Sequence, residues 1–189
     1  MSLRVRRTIL LVALLAVYLA TALRGVVGEL ARRGQFDPFL PLARAVEQRV
    51  EEQRFSEALP LATDLRRTYP REPQLAYWLA RIQQGLHDTP REIEAWEDYV
   101  RLSTDPADAC SALPDAYDRI GRASDALRAY QHCASLDSSD SDRLIDLGDA
   151  YARNGRARDA LREFERAQAL DSGNPFLADR MRRQREADR

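Results

Sequence analysis

Few residues of this chain are equipped for chemistry, and they are scattered. His87 and His132 are the two histidines available as bases. His132 stands beside Cys133, so a thiol–imidazole nucleophile can be drawn, but adjacent residues on a helix do not face each other. The aspartates of Leu136-Asp137-Ser138-Ser139-Asp140-Ser141-Asp142 look like part of a calcium loop, yet they lack its central glycine and terminal glutamate. No C-x-x-C, H-E-x-x-H or glycine-rich phosphate loop occurs. All 29 basic residues are arginines, interleaved with 30 acidic ones for a net charge of −1. Nucleic acid requires a basic face, which such interleaving does not build. These features point away from an enzyme, and away from cofactor, metal or nucleic-acid binding.

The elements that position these residues are written as a repeat. Residues 107–140 and 141–174 are identical at sixteen of 34 positions, including Tyr117/Tyr151, Gly121/Gly155 and the Asp-Ala-Leu-Arg runs at 125–128 and 159–162. A fixed period of this size marks stacked helical units that share a core with their neighbours. Working backwards gives units at 39–72, 73–106, 107–140 and 141–174. Leu147-Gly148, Tyr151, Ala160 and Phe164 stand where the tetratricopeptide repeat places Leu-Gly, Tyr, Ala and Phe. The chain resembles that family over 39–174, with Leu144 in place of the usual Trp and Ser172 in place of the usual Pro. The resemblance implies an all-α fold: a right-handed α-solenoid of about four helix-turn-helix repeats, with 175–189 as a C-terminal capping helix.

Within that scheme, Gly148 and Ala160 let two backbones approach, and Tyr151, Leu161, Phe164 and Leu170 fill the space around them. Gly121 and Gly155 are the expected turn residues, since a left-handed backbone costs glycine little. Ile93, Trp96, Tyr99 and Leu102 take the core places of the second unit, where Glu92 occupies a position expected to be Ala. Pro60 predicts a bend in its helix, and Pro114 stands where Gly148 does in the next unit. Asn174 and Pro175 read as the start of the cap, with Phe176, Leu177 and Met181 covering the last repeat.

The resemblance also implies a concave face built from the first helix of each unit. It would present Tyr77, Arg81 and Gln84, then Ser111, Asp115, Asp118 and Arg119, then Ile145, Asp149, Ala152 and Arg153. Such a lining suits an extended peptide or a partner's helix; an ordinary solvated face is the alternative. Charge reversal at Arg81 or Arg119 is expected to weaken partner capture and leave the melting temperature unchanged. The lysines and asparagines with which chaperone-binding members clamp a carboxylate terminus are missing: there is no lysine, and Asn154 and Asn174 lie off this face. Cys110 and Cys133 fall at ends of one antiparallel pair that are neighbours. They are expected either to form a disulfide in an oxidising compartment or to be buried thiols, Cys133 standing where the family has Ala.

Before the repeats, Arg4, Arg6 and Arg7 precede an uncharged run from Thr8 to Leu23. Residues 1–27 read as a signal anchor, entering the membrane through 8–27, and 28–38 as a linker. Ala20-Thr21-Ala22 offers the alternative of a cleaved signal peptide. In either case the arginines favour a cytoplasmic N-terminus and exported repeats. The expected setting is a bacterial inner membrane crossed once, with the repeats in the periplasm, or else the soluble periplasm. The expected function is a membrane-anchored adaptor or accessory subunit that binds other proteins of an envelope complex. The alternative is a soluble periplasmic peptide-binding module.

Overall fold

The computed structural model describes Ala22, Gly25 and residues 39–188. Nine helices lie among these residues, and there is no strand: α1 (Phe39–Glu51), α2 (Phe55–Thr68), α3 (Pro73–Gly85), α4 (Thr89–Leu102), α5 (Ala109–Arg119), α6 (Ala123–Leu136), α7 (Ser141–Arg153), α8 (Ala157–Leu170) and α9 (Leu177–Ala187). Ala22 and Gly25 are helical as well. The expected anchor and linker otherwise lie outside the described residues. Among the described residues no helix is long and apolar enough to cross a membrane.

The chain divides into two compact units at Val46/Glu47. Besides Ala22 and Gly25, the described part of the first unit is the beginning of α1, where Ala43 and Val46 are buried and Leu40 and Leu42 are exposed. In the second unit, each helix from α2 to α8 packs on the one that follows it.

The turn inside each pair has one form, repeated four times. Gln53, His87, Gly121 and Gly155 stand 34 residues apart and all have positive φ, at 57°, 59°, 74° and 70°. The residue after each donates its backbone N–H five residues back: Arg54 to Arg49, Asp88 to Gln83, Arg122 to Tyr117 and Arg156 to Tyr151. A left-handed residue followed by such a bond satisfies the last carbonyls of a helix and reverses the chain. The two glycines were legible as turn residues. Gln53 and His87 hold the same conformation against the steric preference of their side chains.

The repeated Gly-Arg also has a structural use. The Arg122 guanidinium lies over the Tyr117 ring and Arg156 over Tyr151, 4.8 and 4.6 Å from the centroids. Each arginine then reaches the aspartate three residues on, Asp125 or Asp159, which in turn binds Arg128 or Arg162. The repeated Tyr, Gly-Arg, Asp and Arg therefore write a turn and a charge ladder.

The core runs from α3 to α9 through Trp96, Tyr99, Tyr117, Leu144, Phe164 and Leu177. Gly148 serves the Phe164 ring, which a Cβ there would meet at 2.4 Å; Gly85 does the same for Phe55 at 2.2 Å. Two core expectations change. Leu170, at the last turn of α8, is 50% exposed, and so is its counterpart Leu136 in large part. Phe176 is 67% exposed because Pro175 and Phe176 form a turn and the helix begins only at Leu177, leaving Leu177 and Met181 to face inward.

Candidate functional site

Asp140 and Asp137, the calcium-like aspartates, are spent locally. Asp140 caps α7 by accepting from the backbone N–H of Asp142 and Arg143 at 3.0 and 3.3 Å. Asp137 accepts from Ser139, backbone and side chain. No group of three or more His, Cys, Asp or Glu among the described residues is placed to hold a metal ion. Cys133 is joined to Cys110 by a disulfide, their Cα atoms 5.3 Å apart, which leaves His132 no thiol to activate. The bond ties the start of α5 to the end of α6, in the pair whose first helix carries the buried Pro114. A cleft of about 210 Å³ lies beside it, lined by Val100, Leu113, Tyr117, Arg128 and His132 among others.

The face formed by the first helices divides into two parts. Toward the C-terminus its charges bind one another across helices. Arg153 of α7 donates to Asp118 of α5 at 2.7 Å. Arg180 of α9 donates through Nε to both oxygens of Asp149, at 3.0 and 3.1 Å. The Tyr130 hydroxyl donates to Asp115 at 2.9 Å, and its burial beside that carboxylate pushes the phenol far above its ordinary pKa. Arg119 binds Glu92 of α4. Glu92 is only 1% exposed, and its Oε1 has no hydrogen-bond partner, so Arg119 supplies its one compensating charge. The sequence led one to expect that reversing Arg119 leaves stability unchanged; its bond to a buried partner gives it a structural role as well. Ile145 is buried and takes no part in the face. A hollow of about 350 Å³ bounded by Asp149, Ala152, Arg153, Arg180, Arg183 and Gln184 remains there, but Arg183 is also paired, with Asp179.

Asp146 is the exception in this half. It lies open to solvent at its surface, yet desolvation by the surrounding protein, and then the carboxylates of Asp149, Asp115 and Asp142, raise its pKa.

Toward the N-terminus the face is open. A groove of about 450 Å³ runs between the end of α1 and α3, lined by Glu47, Val50, Glu51, Gln53, Phe55, Gln74, Tyr77, Trp78, Arg81 and Asp108. Tyr77 is braced from behind by Trp96 and Tyr99, each ring centroid 5.7 Å away. Arg81 donates to the Tyr77 hydroxyl at 2.9 Å. Of the residues singled out from sequence, Tyr77 and Arg81 line the groove, whereas Gln84 is exposed but does not. Glu47, Glu51, Gln74 and Asp108 were missed. The signal was available, because Glu47 stands 34 residues before Arg81 and Gln74 34 residues before Asp108, in equivalent places of their units.

A scan of known protein families finds no match to the chain, and none of the curated proteins matches it. Solved structures do. MamA resembles it with a TM-score of 0.66 at 18% identity, over 78% of this chain and 82% of that one. YrrB, described as a TPR protein with an unusual peptide-binding site, aligns with a TM-score of 0.68 at 14% identity, over 79% and 77%. A chain of the Cut9–Hcn1 hetero-tetramer of the APC/C aligns with a TM-score of 0.57 at 14% identity, over 86% of this chain and 34% of that one. At these identities the likeness concerns the fold, which is a tetratricopeptide-like helical repeat.

Proposed function

We propose that this chain is a tetratricopeptide-type adaptor that binds another protein through the groove between α1 and α3. One observation carries this: on a face whose other charges are mostly consumed within the chain, Tyr77 and the neighbouring carboxylates line a groove open to a partner. The likeness to YrrB, whose description includes a peptide-binding site, supports a protein- or peptide-binding role. In the fuller form of this reading, the pairs form one right-handed array closed by α9. Residues 8–27 tether it to a bacterial inner membrane, and its client is a subunit of an envelope complex.

The test is purification of the full chain from detergent-solubilised membranes, with intact-mass measurement and identification of co-purifying proteins. Retention of residues 1–22 together with a stoichiometric partner lost on Tyr77→Ala supports the tethered adaptor. The Ala20-Thr21-Ala22 site motivates the other reading, a soluble periplasmic module, which loss of residues 1–22 would select. A protein purified alone under mild conditions contradicts both.

A further inference from the structure

Glu47 and Glu51 lie one turn apart on α1, so their side chains project from the same side into the groove. Neither makes an ion pair or a side-chain hydrogen bond among the described residues, whereas neighbouring Glu52 is held by Gln48 at 2.8 Å and by Arg54 at 2.9 Å. Asp108 adds a third carboxylate, whose one side-chain partner is the Tyr99 hydroxyl at 3.1 Å. Against these three stands one cation, Arg81, which leaves the groove two negative charges in excess (1 − 3 = −2). Tyr77 and Phe55 supply aromatic surface, and the Arg81 guanidinium already sits 5.8 Å from the Tyr77 ring centroid. Carboxylates beside an aromatic face are what a guanidinium or ammonium group needs.

We propose that the groove between α1 and α3 docks an extended protein segment carrying two basic side chains in a basic-x-basic pattern. Side chains one helical turn apart have Cβ atoms about 6 Å from each other. In an extended chain, residues i and i+2 point the same way and stand about 6.6 Å apart. Two basic residues flanking one other residue therefore reach Glu47 and Glu51 together. A contiguous basic pair sends its side chains to opposite sides and reaches only one. This inference rests on the adaptor reading and specifies its client.

The experiment uses the full chain in detergent micelles and three fluorescent ten-residue peptides on a Gly/Ser background. One carries Arg-Ser-Arg-Leu, the second Glu-Ser-Glu-Leu and the third Arg-Arg-Ser-Leu, with binding followed by fluorescence anisotropy. The first should bind most tightly, with affinity falling as salt is added. The double variant Glu47→Gln/Glu51→Gln should weaken it at least tenfold while the melting temperature stays the same, both residues being exposed. Arg81→Gln should leave or improve binding. Equal binding of the acidic peptide, or indifference to the double variant, overturns the basic client. Failure of all three peptides also overturns it. A partner that co-purifies with the full chain in any of these cases leaves the adaptor reading standing with a client of different chemistry.

Discussion

The first-helix face spends its charges in two ways. At α5, α7 and α9, Asp118, Asp149 and Asp115 each meet a donor from another helix, and Arg119 neutralises the buried Glu92. At α1 and α3, Glu47 and Glu51 meet none among the described residues, and there Arg81 is held by a tyrosine hydroxyl. A charge that binds a neighbouring helix contributes cohesion between units, and a partner must break that bond before using it. A charge facing an open groove contributes no cohesion and is available at once. Equivalent places of the 34-residue register are thus tied to neighbouring helices at one end and left facing an open groove at the other.

The largest effect is expected at the disulfide. Replacing both Cys110 and Cys133 with Ala releases a loop closed over a sequence separation of 23 and should cost about 3 kcal/mol. A thermal melt with and without reductant should show the same loss in the parent and none in the variant. A parent indifferent to reductant would mean that the pair containing Pro114 needs no staple.

Arg119→Glu comes next and contrasts the two halves most sharply. Leaving Glu92 buried without its partner should cost about 3 kcal/mol, or roughly 6–12 °C of melting temperature in a chain of this size. Arg81→Glu, at an exposed site, should stay within about 0.5 kcal/mol of the parent. Equal losses would erase the division of the face.

The turns offer a smaller and signed effect. Gly155→Ala forces a side chain into the left-handed region and should destabilise by about 1–2 kcal/mol, whereas His87→Gly should relieve strain and stabilise by up to about 1 kcal/mol. Chemical denaturation midpoints decide both.

Here the limits of sequence reading become physical. The period was legible because glycine, unlike most residues, advertises a left-handed turn. Where Gln53 and His87 take the same conformation, only the arithmetic of the repeat could reveal it. The faces of the helices were legible from register, and so Tyr77 and Arg81 could be named. The pairings were not, since Arg119–Glu92, Arg153–Asp118 and Arg180–Asp149 join residues 27, 35 and 31 apart through the angle between helices, which register does not encode. Glu47 was legible from the 34-residue step to Arg81, although its unit departs most from the repeat, with Pro60 inside α2.

The smallest effect expected is that of Asp146→Asn. With its pKa raised in the folded protein, the ionised carboxylate costs stability above that pKa, and the cost vanishes when the group is protonated. The variant should therefore melt slightly higher at neutral pH, by no more than ~2 °C, and the gain should disappear as pH falls through the carboxylate range. A gain that persists in acid would assign it to something other than charge.

The division of the face is tested most directly by photo-crosslinking in the producing cell. A benzophenone amino acid is placed in the full chain at Gln74 or Tyr77 in the groove, and at Asp146 or Ala152 in the paired half. One discrete adduct is expected from the groove positions, abolished by Glu47→Gln/Glu51→Gln, and none from Asp146 or Ala152. The same adduct from Asp146 or Ala152, with the groove positions silent, would contradict that division.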